Sequence, residues 1–404
     1  MVRDHGRPRR WNEPPSDIVV FGDEPGGPER PVRRWIVVAL ALAAVVGFIV
    51  NATLGGHSPT TRSEPTPSTH ESPVNAAPPS PIGSAASSAP ATPTTVRVGR
   101  PIFGITAPYE LVGRGPGSVV RVDFAAGQVI RTPLPVLQSS GPIAFIVGTT
   151  WAVVRPLDRV PGYLVRDGHQ AEELTGELSD GGVALPGPNG AVWVSPDVQV
   201  TRMALIGLDG TETGPSMTIP AGADGNVWPD GTGYVVAGDS HGVDLVRPNG
   251  SQRITSGSLL AVGPTRWLVQ ECANISCQTV AIDRSTGRGH VVAQVPAGTG
   301  GTQWITGVIS PDGKVAAMRA APDDADPAAS LRLLDLSTGV QRKIDVPQPD
   351  SFYADSIAWS PDSKWLFAVA DQERLVAVDA ATGHVEDFGV LVPAIDQIAV
   401  RANR

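Results

Sequence analysis

Three short stretches of this chain carry residue types that could do chemistry. Gly238-Asp239-Ser240-His241-Gly242 matches the G-x-S-x-G pattern, in which a serine on a sharp strand-to-helix turn attacks an acyl carbon. Cys272 and Cys277 are the only 2 cysteines in 404 residues. Two thiols so close could form a disulfide, supply half of a metal site or act as nucleophiles. Asp323, Asp324 and Asp326 gather three carboxylates, the hard oxygen donors that suit Ca²⁺.

The surroundings decide among these chemistries. The G-x-S-x-G stretch lies between two apolar runs, Tyr234-Val235-Val236 and Val243-Asp244-Leu245-Val246, and so reads as a strand–strand hairpin without the helix a nucleophile elbow requires. A zinc site would need two more ligands, and no His or Cys lies near Cys272 and Cys277 in sequence; a disulfide across a short hairpin is expected instead. The Asp cluster lacks the EF-hand spacing and its closing Glu, and reads as a solvated loop. Gly113-Arg114-Gly115-Pro116-Gly117 opens no helix, so it is not a phosphate loop. His169, His290 and His384 follow turn glycines, and none of the 7 His shows metal-ligand spacing. No catalytic, cofactor-binding or metal residue is assigned, and no cofactor is expected. The assigned pair is Cys272 with Cys277, as a disulfide.

The elements that must carry these residues come from an internal repeat. An alternating apolar strand ending in a tight Gly turn recurs, as in Val119-Val120-Arg121-Val122-Asp123-Phe124-Ala125-Ala126-Gly127 and Leu331-Arg332-Leu333-Leu334-Asp335-Leu336-Ser337-Thr338-Gly339. The turn glycines are 127, 168, 210, 250, 287, 339 and 383, spaced by 41, 42, 40, 37, 52 and 44 residues. Gly supplies the positive φ of a tight hairpin, and the Asp or Asn before it caps the turn. Between 16 and 24 residues ahead of each glycine, most often about 17, stands Tyr109, Trp151, Trp193, Tyr234, Trp267, Val315 or Trp365, and before that another short apolar strand such as Ile143-Ala144-Phe145-Ile146. A large aromatic recurring at one register is expected to pack between repeats rather than to bind a ligand. Four short strands per unit, seven times over, predict an all-β fold: a seven-bladed β-propeller of four-stranded blades spanning 97–404. The C-terminal Asp396-Gln397-Ile398-Ala399-Val400 supplies the inner strand that the first unit lacks, closing the ring.

Ser310-Pro311-Asp312-Gly313-Lys314 and Ser360-Pro361-Asp362-Ser363-Lys364 resemble the hairpin of TolB-like and WD40-like (PD40-type) propellers, and Ser195-Pro196-Asp197 and Trp228-Pro229-Asp230-Gly231 are weaker copies. The Asp-x-x-Thr-Gly turns at 283–287, 335–339 and 379–383 resemble those of YVTN and quinoprotein-like repeats. This resemblance implies a propeller and leaves its activity open, because enzymes, scaffolds and lectins share the fold. The docking Trp that quinoprotein repeats place after the Gly is missing here, and no WD dipeptide occurs.

Ahead of the repeats, residues 35–54 (WIVVALALAAVVGFIVNATL) contain no charge and are long enough to cross a bilayer as one transmembrane helix. Arg30, Arg33 and Arg34 precede it and only Arg62 follows closely, which places the N-terminus in the cytoplasm and the C-terminal region outside. A cleaved secretory signal would share the apolar core, but a 34-residue leader is long for one. Residues 1–34 read as a disordered cytoplasmic tail, with Asp17-Ile18-Val19-Val20-Phe21 as a short apolar run inside it, and 55–96, with nine prolines, as a disordered Pro/Ser/Thr-rich linker.

Charge narrows the partners. Residues 1–34 carry seven Arg against six acids and 51–96 one Arg against two Glu, so the whole-chain net charge of −9 resides in 97–404. An acidic domain has no electrostatic case for nucleic acid. The sequence therefore reads as a membrane-anchored extracytoplasmic module that binds a protein or an envelope or cell-wall ligand. The alternative is a hydrolase or lyase with its site at the central channel.

Overall fold

The computed structural model describes residues 92–403 apart from 136, 138–141, 159, 198, 224–226, 240–241, 274–275, 297–303, 321–329 and 347–353. The tail, the apolar segment 35–54 and nearly all of the linker lie outside the described residues. Among the described residues, no helix is long and apolar enough to cross a membrane.

The described residues form 29 short strands. The first sheet takes β1 (Thr94–Arg97), β2 (Tyr109–Gly115), β3 (Ser118–Asp123) and β4 (Gln128–Pro133). The second and third repeats give β5 (Ile143–Val147), β6 (Trp151–Pro156), β7 (Tyr163–Arg166) and β8 (Ala171–Glu173), then β9 (Val183–Pro186), β10 (Val192–Ser195), β11 (Arg202–Ile206) and β12 (Met217–Thr218). The fourth and fifth give β13 (Val227–Pro229), β14 (Val235–Asp239), β15 (Gly242–Arg247) and β16 (Gly250–Thr255), then β17 (Ser258–Val262), β18 (Arg266–Ala273), β19 (Ser276–Asp283) and β20 (Gly289–Pro296). The last two give β21 (Trp304–Ile309), β22 (Val315–Ala320), β23 (Ser330–Asp335) and β24 (Gln341–Ile344), then β25 (Ile357–Trp359), β26 (Trp365–Val369), β27 (Leu375–Asp379) and β28 (Val385–Asp387). β29 (Gln397–Ala402) ends the chain.

In the second to seventh repeats the four strands pair antiparallel in chain order, the first sheet runs β1-β4-β3-β2-β29, and the turn chemistry behaves as its residue types require. All seven turn glycines have positive φ, from 59° at Gly127 to 131° at Gly250. In the Asp-x-x-Thr-Gly turns one carboxylate oxygen collects the local donors: Asp283 Oδ1 accepts from the backbone N–H of Ser285 (3.0 Å) and Thr286 (2.9 Å), and Asp335 Oδ1 from Ser337 (2.8 Å) and Thr338 (2.9 Å). In the Ser-Pro-Asp turns the buried hydroxyl does double duty. Ser310 Oγ donates to Asp312 (2.7 Å) and accepts from Val315 N–H (3.0 Å), and Ser360 repeats this with Asp362 and Trp365.

The fold is an all-β propeller, but it does not divide into seven separate sheets. Five sheets of four or five strands stand apart, and the sixth is a continuous sheet of eight in the order β20-β19-β18-β17-β21-β22-β23-β24. The cause is a short parallel pairing of β17 with β21 at Ala261–Gly307 and Val262–Val308, which joins two antiparallel meanders by their first strands. Thr94–Arg97 pairs with β4 as a fifth strand of the first sheet, the β-branched run Thr94-Thr95-Val96 following directly on Pro93.

Packing between consecutive repeats fills seven apolar clusters. The cluster that joins the last repeat to the first stacks Phe124 on Phe367 at 5.0 Å between ring centroids, with Tyr109 and Phe388 against their edges. Trp193, 1% exposed, sits between repeats and donates from Nε1 to Gly233 O (2.8 Å). β29 pairs antiparallel with β2 from Tyr109–Ala402 to Arg114–Gln397, so the C-terminal strand completes the first sheet.

An ion network locks that closure. Arg401 on β29 donates to Glu110 (2.6 Å) and to both oxygens of Asp167 (2.8 Å), while Arg121 contacts Glu110 (2.9 Å) and Asp167 (3.1 Å). The Arg401 and Glu110 side chains are 6% and 3% exposed. Removing one member of a buried pair strands its partner's charge and costs about 3–5 kcal/mol, whereas an exposed pair contributes about 0–1 kcal/mol. Arg401→Met is therefore expected to lower unfolding free energy by about 3 kcal/mol in urea titrations. Arg166→Met, which breaks the exposed pair with Glu172, should change it by less than about 1 kcal/mol. Equal effects of the two substitutions would refute the assigned role of Arg401.

Candidate functional site: the central channel

The first strands of the repeats, β5, β9, β13, β17, β21 and β25, together with β29, surround one cavity of about 480 Å³. That volume falls within the range of small-molecule sites. The lining is apolar nearly throughout. Phe145 and Val147 come from β5, Leu185 from β9, Trp228 from β13, Leu259 and Val262 from β17, Val308 from β21, and Ala399 and Val400 from β29. These strands carry apolar residues on both faces because each face meets a neighbouring repeat: Phe145 of β5 packs with the first repeat and Ile146 with the third. Trp359 from β25 adds an aromatic wall and donates from Nε1 to Val308 O (3.1 Å).

Among the described residues Asp355 is the one charged side chain in this lining. It lies on a 3-10 turn, Ala354–Ser356, immediately ahead of β25. Its Oδ2 accepts from Gln397 Nε2 (2.8 Å), and the same nitrogen donates to Ile143 O (2.8 Å). The amide of Gln397, 2% exposed, thereby ties together the beginnings of β25, β29 and β5. Next to it Asp396 pairs with Arg114 on β2, and Asp396 N–H donates to Arg114 O (2.9 Å).

The glycines around Arg114 explain how that approach is possible. A Cβ on Gly115 would stand 2.1 Å from Ala394 O and one on Gly113 2.6 Å from Ile395 Cδ1, so only glycine lets residues 394–395 lie against β2. The Gly-rich stretch is thus a strand built for close packing.

Burial drives the electrostatics. Desolvation pushes the Asp355 carboxyl up to about 6, partly offset by the Gln397 hydrogen bond and the Arg114 charge, while Asp396 pushes it further up. Burial also raises Asp396, which Arg114 lowers and Glu373 raises.

The residues singled out in the sequence lie elsewhere. Cys272 and Cys277 face each other across β18 and β19 and are joined by a disulfide. Gly238, Asp239 and Gly242 form the β14–β15 hairpin, in which Asp239 pairs with Gly242; Ser240 and His241 lie outside the described residues. Asp323, Asp324 and Asp326 also lie outside them. His290 donates from Nε2 to Leu336 O (2.7 Å), and His384 contacts Glu386 (3.2 Å). Among the described residues no three His, Cys, Asp or Glu side chains form a metal cluster.

Sequence reasoning missed Asp355, Gln397 and Arg114, which no motif joins. It also missed Arg155. This guanidinium, 1% exposed, donates to Leu178 O (2.9 Å), Gly181 O (2.9 Å) and Gly182 O (2.8 Å), and burial lowers its pKa to about 10. A signal was present: Arg155 and Arg319 each stand four residues into the second strand of their repeats, inside apolar runs.

No protein-family model matches the chain, and no curated protein is significantly similar to it in sequence. The structure is similar to a periplasmic gluconolactonase of Pseudomonas aeruginosa, at 16% identity and a TM-score of 0.43, covering 73% of this chain and 99% of that one. It is similar to a putative 6-phosphogluconolactonase of Bacteroides uniformis, at 15% identity and a TM-score of 0.43, covering 74% and 99%. AztD of Citrobacter koseri in its apo form follows at 12% identity and a TM-score of 0.38, covering 73% and 90%. These values carry no functional inference.

A raised carboxyl pKa has a testable sign. The folded chain keeps a proton on Asp355 that the unfolded chain, with a pKa near 3.8, has already released, so stability falls as pH climbs from about 4 to about 6. Asp355→Asn removes this penalty. Its stability should match that of the unsubstituted chain near pH 4 and exceed it by roughly 2–3 kcal/mol at pH 7, measured by urea unfolding. A difference that does not vary with pH would show that Asp355 is not the titrating group.

Proposed function

We propose that this chain is a membrane-anchored, extracytoplasmic propeller that binds a small envelope ligand in its central channel and does not transform it. On this reading the Ser-Pro-Asp hairpins are those of the TolB-like and WD40-like type. Residues 35–54 hold the ring at the membrane, with residues 1–34 in the cytoplasm and the linker as spacer.

One observation carries the preference for binding over hydrolysis or lyase chemistry. Among the described residues the channel presents a single titratable side chain in an apolar wall. Acid–base or nucleophilic catalysis needs at least two cooperating groups within hydrogen-bond reach of the reacting atoms. Apolar walls with one polar anchor are the usual make-up of a binding pocket.

The address and the seat are tested separately. Protease added to intact spheroplasts should digest the region after residue 54 and spare the first 34 residues; full protection of the C-terminal region would overturn the topology. Full-length protein exposed to envelope extract should retain a small molecule by native mass spectrometry, and Ala144→Trp, which fills the channel, should lose it. Release of a chemically altered product would favour the enzyme.

A further inference from the structure

Buried acceptors without donors lie beside the end of the channel where β25, β29 and β5 begin. Gln397 Nε2 donates to Asp355 Oδ2 and to Ile143 O, and neither of those atoms can donate in return, so the orientation of the amide is fixed. Its Oε1 is consequently aimed elsewhere, is buried, and meets no donor among the described residues. Asp396 Oδ1 is buried in the same condition, since Arg114 engages the other oxygen. A buried acceptor left without a donor costs about 1–3 kcal/mol. Here two such atoms accompany a carboxylate that borders the cavity.

We propose that the channel takes a primary ammonium compound with an apolar body, its nitrogen seated against the Asp355 carboxylate that Gln397 holds in place. An ammonium group has three donors and no acceptor, which complements a lone carboxylate in an apolar lining. A carboxylate ligand would meet Asp355 and Asp396 with like charge, and the domain's net charge of −9 opposes it at longer range. A bare metal ion is disfavoured because no three-ligand cluster exists among the described residues. Asp355 is mainly ionised at neutral pH, as an ion-pair partner must be.

The rest of the cavity sets the shape of the ligand. Asp355 lies on the turn just ahead of β25 and Trp359 ends that strand, while Trp228 lines the cavity as well. A compound with its amine at one end and an aromatic or alkyl group at the other would span this length.

This inference rests on the channel being a binding site, and the test separates the two. Full-length protein in detergent is titrated calorimetrically at pH 7.5 with phenylbutylammonium, phenylbutanol and phenylbutyrate. The ammonium compound is expected to bind at least about tenfold more tightly than the alcohol, and the carboxylate most weakly. In Asp355→Asn the ammonium affinity should fall to that of the alcohol, while the alcohol is unaffected. Gln397→Leu should weaken the ammonium compound alone. Ala144→Trp should abolish all binding. Equal affinities for the three probes, or an ammonium preference that survives Asp355→Asn, would overturn the ammonium assignment and leave the channel as the seat. Absence of binding by every probe, or binding unaffected by Ala144→Trp, would overturn both.

Discussion

The antiparallel pairing of β29 with β2 is what allows every sheet in the ring to keep packed neighbours on both sides. A four-stranded sheet of short strands buries too little surface to stand alone, and its stability comes from the apolar clusters it shares with the sheets before and after it. The first and last repeats would each lose one such neighbour in an open array. Closure through the C-terminal strand restores the missing cluster, in which Phe124 meets Phe367, and covers an inner edge that would otherwise expose unpaired backbone groups. The Arg401–Glu110–Asp167–Arg121 network then fixes the register of that strand, because sliding it by one residue would turn Arg401 away from both carboxylates.

Closure also explains why the channel has its particular floor. Gln397 is the first residue of the strand that closes the ring, and it reaches the beginnings of the strands on either side, Ile143 on one and Asp355 on the other. The polar end of the channel is therefore assembled from the same strand that completes the architecture. A ligand held there contacts the seam of the ring, so its binding free energy adds to the stability of closure in proportion to occupancy.

Much of the scaffold was legible because its signals are local. A glycine with positive φ, an Asp that collects backbone N–H groups two and three residues on, and a Ser that clasps its own hairpin each act within five residues, so type and spacing suffice to reveal them. The Cys272–Cys277 bridge is legible for the same reason. The joining of two repeats into one eight-stranded sheet was not, because it depends on how closely β17 approaches β21, and no residue type marks that distance. The site was the least legible part. Arg114, Ile143, Asp355 and Gln397 lie in four different repeats or their connections, and only the circular topology brings them together. An isolated aspartate ahead of an apolar strand looks like any helix or turn cap until the strand is known to line a channel.

Retention of a carboxylate at that position has a physical implication of its own. Burying a charge beside an apolar cavity costs several kcal/mol unless a counter-charge or donors compensate it. Arg114 is nearby, but it is engaged by Asp396, and among the described residues the donor to Asp355 is the neutral amide of Gln397. The rise of the Asp355 pKa to about 6 is the expression of that incomplete compensation. A purely structural role would be met as well by Asn, which accepts the same hydrogen bond from Gln397 without the desolvation of a charge. The negative charge thus contributes something that ring closure does not require. An interaction made only when a cationic donor occupies the channel would recover the cost of keeping it, and the same interaction would draw that pKa back down toward its ordinary value.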